Sequence, residues 1–97
     1  MADDSRENLL RMLNDGHEFP GEFMFKVIGA NTPEFAASVL QAVVVIVGPE
    51  AAPDVSLRES AQGRHQSVTV RIRVDSAHVV LDVYEAFRSI AGVRYVL

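Results

Sequence analysis

From Ser67 to Val74 apolar and polar side chains alternate without a break: Val68, Val70, Ile72 and Val74 on one side, Thr69, Arg71 and Arg73 on the other. A period of two over eight residues is the mark of a strand with one dry face and one wet face, so this chain must build a sheet covered on one side only. Phe23 to Gly29 reads as another strand, with Phe23, Phe25 and Val27 opposed to Met24, Lys26 and Ile28. Val55 and Leu57 alternate with Ser56 and Arg58 in a shorter strand that frays at Glu59-Ser60, and Val93 to Leu97 supplies the last.

Between these strands the period changes. Thr32-Pro33-Glu34 combines a capping hydroxyl, a proline suited to the first helical position and a carboxylate at the positive end of the dipole. Phe35, Val39, Leu40, Val43, Ile46 and Val47 then recur at spacings of three and four, and Gly48-Pro49 gives a stop. The β-branched run Val43 to Val47 is assigned to this helix because the stripe begins well before it. Asp75 or Ser76 caps a second helix with Val80, Val83, Tyr84 and Phe87 buried, Asp82, Glu85 and Arg88 outward, and Gly92 at its end. The order β-α-β-β-α-β predicts an α+β, ferredoxin-like sandwich: a four-stranded antiparallel sheet with both helices on one face and the first and third strands in the centre.

Ahead of this domain, assigned to residues 19–97, residues 1–18 form an acidic, partly flexible arm. It carries a short helix over Ser5 to Leu13 and a turn at Asn14 to His17. Length sets the scale, since 97 residues suffice for one core. With no cysteine there is no disulfide, thiolate nucleophile or cysteine-held metal. The acidic start and the short apolar runs point away from a secretory signal or membrane span and make the cytoplasm the expected compartment. His17, His65 and His78 lie apart with no ligand spacing, and no nucleophile-base set or glycine-rich phosphate loop stands out. No cofactor, metal or enzymatic activity is expected.

The wet face offers more. Met24, Lys26, Ile28, Ser56, Arg58, Thr69, Arg71, Arg73, Arg94 and Val96 are assigned to it, so five of the nine Lys and Arg residues fall there and acidic residues are nearly absent. The polar connection from Ser60 to Ser67, with Gly63 and donors in Gln62, Arg64, His65 and Ser67, is a second candidate because connections are where scaffolds tend to place function. Lys26, Arg58, Gly63, His65, Ser67, Arg71, Arg73 and Arg94 are therefore the candidate binding residues, for a small anionic ligand or a partner protein. The plain alternative is that these cations only solvate an open sheet or are neutralised by the acidic arm. A nucleic-acid-binding role is the minor alternative. The matching positions of the central strands carry no aromatic platform for bases, and the net charge of −4 disfavours polyanions.

Phe19-Pro20, Phe25-Lys26-Val27-Ile28-Gly29, the stretch from Ser60 through Gly63 to Ser67-Val68-Thr69, and the ending Tyr84, Ile90, Val93-Arg94-Tyr95-Val96-Leu97 together resemble the YbeD-like bacterial proteins of unknown function. That resemblance covers roughly Phe19 to the C-terminus and marks Lys26, Gly29, Gly63, Ser67 and Arg94 as matching positions. It implies an ACT-like regulatory domain that binds small molecules and works through dimer or domain interfaces, hence self-association as a homodimer.

Overall fold

Alternation in the third strand proves longer than the apolar run that announced it. In the computed structural model, which describes residues 2–97 and side chains from Ser5 onward, this strand begins at His65. The elements in chain order are α1 (Ala2–Gly16), β1 (Gly21–Ala30), α2 (Pro33–Val47), a single 3-10 turn (Pro49–Ala51), β2 (Asp54–Glu59), β3 (His65–Val74), α3 (Ala77–Arg88) and β4 (Val93–Val96). The strands form one antiparallel sheet in the order β2-β3-β1-β4, so β1 and β3 are central, as the split-βαβ order requires.

The dry face gathers Phe23, Phe25 and Val27 from β1 with Val68, Val70, Ile72 and Val74 from β3. Against them lie Phe35, Val39 and Val43 of α2 and Val80, Val83 and Phe87 of α3. Val43 to Val47 is helical throughout. Tertiary burial of the stripe outweighs the weak helix propensity of its β-branched residues. Thr32 caps α2 as expected, its Oγ1 accepting from the Phe35 N–H at 3.1 Å. Ser76 occupies the cap position of α3 but its hydroxyl makes no capping bond, and α3 ends at Arg88, before Gly92.

Three local readings of the sequence are corrected. The N-terminal helix does not stop at Leu13 but continues through Asn14, Asp15 and Gly16, so no turn occupies Asn14 to Gly16. Tertiary support explains the extra length: Leu13 packs against the core cluster, and the Arg6 guanidinium pairs with the Asp82 carboxylate on α3 at 3.0 Å. Second, Val96 faces the helices, because it stands opposite the buried Val27, while Tyr95 stands opposite Ile28 on the outer face. The register between β1 and β4 shifts between Ile28 and Gly29, leaving Arg94 as the extra residue of a bulge. Third, the outer face is not free of acid, since Glu22 lies opposite Arg73 and Asp54 opposite Arg71.

Tyr84 lies in the aromatic cluster beneath α3, edge-on to Phe25 at 5.2 Å. Burial raises its phenol pKa above the ordinary 10.0, an effect opposed by the nearby Arg88 guanidinium. A phenol with a raised folded-state pKa stabilises the fold fully below the unfolded value, and that contribution is lost as pH climbs through the folded value. Thermal melts between pH 8 and 11.5 should therefore show a decline beginning above pH 10 that is shallower in Tyr84→Phe. Parallel curves for the two proteins would remove the phenol from the account.

Candidate functional site

The outer face is built from rungs that the strand register fixes. One rung carries Asp54, Arg71 and Met24, and the next Ser56, Thr69, Lys26 and Leu97. A third carries Arg58, Ser67, Ile28 and Tyr95. Neither α2 nor α3 covers this side, and α1 packs on α3, so the acidic arm sits with the helices and not over the cations. Met24, Tyr95 and Leu97 are 52%, 62% and 62% exposed. With Ile28 they form an apolar band along β1 and β4 that borders the cationic side. The exposed Tyr95 was missed in the sequence because its face depends on the bulge, which leaves no trace in apolar alternation.

At the end of the sheet nearest the β2–β3 hairpin lies a depression of about 300 Å³. Lys26, Ile28, Arg58, His65 and Ser67 line it with the hairpin residues Ser60 and Ala61. Glu59 and Gln66 border it too, although both stand at positions of the helix-facing parity. Of the eight candidate residues, Lys26, Arg58, His65 and Ser67 are thus brought together. Gly63 sits in the adjoining turn with φ of +70°, a conformation that penalises any side chain, and its N–H already donates to the Ser60 carbonyl at 2.9 Å. It shapes the hairpin. Arg71 and Arg73 lie at the far end of β3, and Arg94 at the β4 edge.

The hairpin is held by side chains distant in sequence. Asn31 Nδ2 donates to the Gly63 carbonyl at 2.9 Å. Gln66, buried to 5% exposure, donates from Nε2 to the carbonyls of Ala30 at 3.1 Å and Thr32 at 2.8 Å. These bonds join the hairpin to the corner between β1 and α2, and they satisfy backbone acceptors that burial would otherwise leave costly. Sequence reading gave Gln66 no role, since a lone glutamine among polar neighbours gives no sign of burial. Ser60 closes the hairpin, its N–H donating to the His65 carbonyl at 2.9 Å and its Oγ accepting from the His65 N–H at 3.2 Å.

Chemically, the depression offers an ammonium, a guanidinium, an imidazole and a hydroxyl on a floor whose shape is set before anything binds. Among the described residues the one ion pair is Arg6 with Asp82, so Lys26 and Arg58 have no carboxylate partner. No group of three or more His, Asp or Glu among the described residues converges as metal ligands do, and no helix there is long and apolar enough to cross a membrane.

Comparison with known proteins agrees with this architecture. Over most of its length the chain is similar to proteins designated UPF0250. One from Neisseria gonorrhoeae is 34% identical over 80 residues, spanning 82% of this chain and 88% of the relative. One from Pasteurella multocida is 38% identical over 87 residues, spanning 88% and 94%. Among solved structures, protein HP0495 of H. pylori superposes with a TM-score of 0.63 at 15% identity, covering 84% of this chain and 85% of that one. The ACT domain of the GTP pyrophosphokinase of Chlorobium tepidum superposes at 0.56 with 11% identity, covering 79% and 97%. At such identities the likeness establishes the ferredoxin-like, ACT-like fold alone. Residues 14–97 match the family described as protein of unknown function DUF493, and with these relatives the chain belongs to the DUF493/UPF0250 family of bacterial proteins.

Proposed function

We propose that this chain is a non-enzymatic regulatory or adaptor domain that receives a small anionic ligand in the depression between Lys26, Arg58, His65 and Ser67. One observation carries the reading: two cations without carboxylate partners among the described residues share a preformed depression with a hydroxyl and an imidazole. Desolvation strengthens charge-assisted hydrogen bonds to an anion, and preorganisation of the hairpin lowers the cost of binding. The ACT-like fold supports a regulatory role.

Titration of the labelled protein with inorganic phosphate, and separately with L-aspartate, tests the site by amide shift changes. The expected changes centre on Lys26, Arg58 and His65 through Ser67, and Lys26→Ala weakens binding by roughly tenfold, the worth of one charged hydrogen bond. Shifts scattered evenly over the surface, or unaltered by Lys26→Ala, would refute the site.

A further inference from the structure

Where α1 packs on α3, the two helices and the end of β4 enclose a groove of about 230 Å³. Leu9 and Leu13, one turn apart on α1, form one wall. Leu81, Tyr84 and Arg88, spaced by three and four on α3, form the other, and Val96 and Leu97 complete the lining. Leu13 packs against the core and Leu81 is 9% exposed, whereas Leu9 is 47% exposed, so the groove is dry at its base and open at its lip. The family match begins at residue 14, so Leu9 and Leu13 come from the part of the arm that precedes it.

Two polar side chains interrupt this aliphatic lining, and they lie close together. The Arg88 guanidinium acts through space on the Tyr84 phenol, opposing the effect of its burial. Among the described residues neither group has a side-chain partner: the one ion pair joins Arg6 to Asp82, and no hydrogen bond involves the Tyr84 hydroxyl or the Arg88 side chain. A guanidinium beside a phenol offers a fork of N–H donors and one O–H donor, the set that a carboxylate accepts from. The leucines beside them gain from losing water only against hydrocarbon. The exposed Arg6–Asp82 pair holds α1 to α3 lightly, so a body lodged between Leu9 and Leu81 adds to that hold.

We propose that this groove binds a short aliphatic monocarboxylate, its carboxylate held by Arg88 and the Tyr84 hydroxyl and its hydrocarbon body laid between Leu9, Leu13 and Leu81. Charge and lining together select this class. An amine brings its cation against the guanidinium, and a dicarboxylate carries a second charge in among the leucines, where nothing pairs with it. Volume limits the length: 230 Å³ falls below the roughly 300–1,000 Å³ of sites for drug-sized ligands, too little for the acyl tail of a membrane lipid. The groove shares no lining residue with the depression at Lys26, so either site can fail without the other.

Titration of the isotope-labelled full chain with sodium hexanoate tests the groove by NMR. Saturable shifts should appear at the methyl groups of Leu9, Leu13 and Leu81, with Overhauser contacts from the terminal methyl of hexanoate to Leu9 and Leu81 and slower amide exchange along α1. Acetate, which has the charge without the body, should leave those methyl groups unmoved. Affinity should rise roughly threefold to fourfold per methylene from butyrate to hexanoate, the worth of burying each one. Hexylamine and adipate should bind at least roughly tenfold more weakly than hexanoate. Arg88→Met should weaken hexanoate by roughly tenfold, the loss of a charged hydrogen bond, and Arg88→Lys should restore part of it. Leu9→Ser, at an exposed position, should flatten the gain with chain length. Shifts that do not saturate, equal affinity for hexanoate and hexylamine, indifference to chain length, or hexanoate shifts confined to Lys26, Arg58 and His65 would each overturn the proposal. Should Arg88→Met lose its helical signal by circular dichroism, the comparison of hexanoate with hexylamine on the wild type decides.

Discussion

Phe87→Ala is expected to remove about 3–5 kcal/mol of stability, a large share of the roughly 5–15 kcal/mol available to a small domain. Phe87 is fully buried and meets Phe25 edge-on at 5.7 Å; Phe25 in turn touches Phe23 at 4.9 Å. Truncation removes apolar area and an edge-to-face contact together, and it leaves a cavity between α3 and β1 that strands and helix cannot both collapse into. Urea denaturation followed by far-UV circular dichroism should show a much lower midpoint with little change in slope. A midpoint near that of the wild type would mean that the helix layer repacks freely over the sheet.

Gly29→Ala is the second large effect, and its cause is the opposite. A Cβ at this position would run into the ring of Phe35 and come within 2.6 Å of the Gly92 carbonyl oxygen. The ring belongs to the core and the oxygen to the backbone, and that oxygen already accepts the Ala30 N–H at 3.0 Å. One methyl group therefore forces both α2 and β4 away from β1, at a cost at or above the roughly 1–3 kcal/mol typical of overpacking. A drop in melting temperature of at least several degrees should accompany loss of amide protection at Ala30. Wild-type stability would show that β4 shifts at no cost. The glycine that marks the resemblance to YbeD-like proteins is on this account a point of close approach between the strand, the ring and the following turn.

Most of the fold was legible because two periods govern it. Strict alternation exposed β3 and β1, a three-and-four stripe exposed α2 and α3, and their order fixed the sheet. What escaped depended on contacts between elements. The faces of Tyr95 and Val96 exchange because a bulge shifts the parity of β4 by one, an event that a single strand's pattern does not carry. The carboxylates of Glu22 and Asp54 reach the outer face through register, at strand ends where apolar residues give no guide. α1 extends past Leu13 because α3 and the core support it, which no local propensity announces. The candidate site was half legible: Lys26, Arg58, His65 and Ser67 do converge, whereas the spread from Arg58 to Arg73 along the sheet separates the remaining arginines from them.

Asn31 and Gln66 tie together two corners of the molecule that are more than thirty positions apart in the chain. The hairpin therefore cannot peel from the sheet alone, since opening it means breaking three amide contacts and stripping the first turn of α2 of its neighbours in the same event. Such a latch ties the local order of the hairpin to that of the chain entering α2.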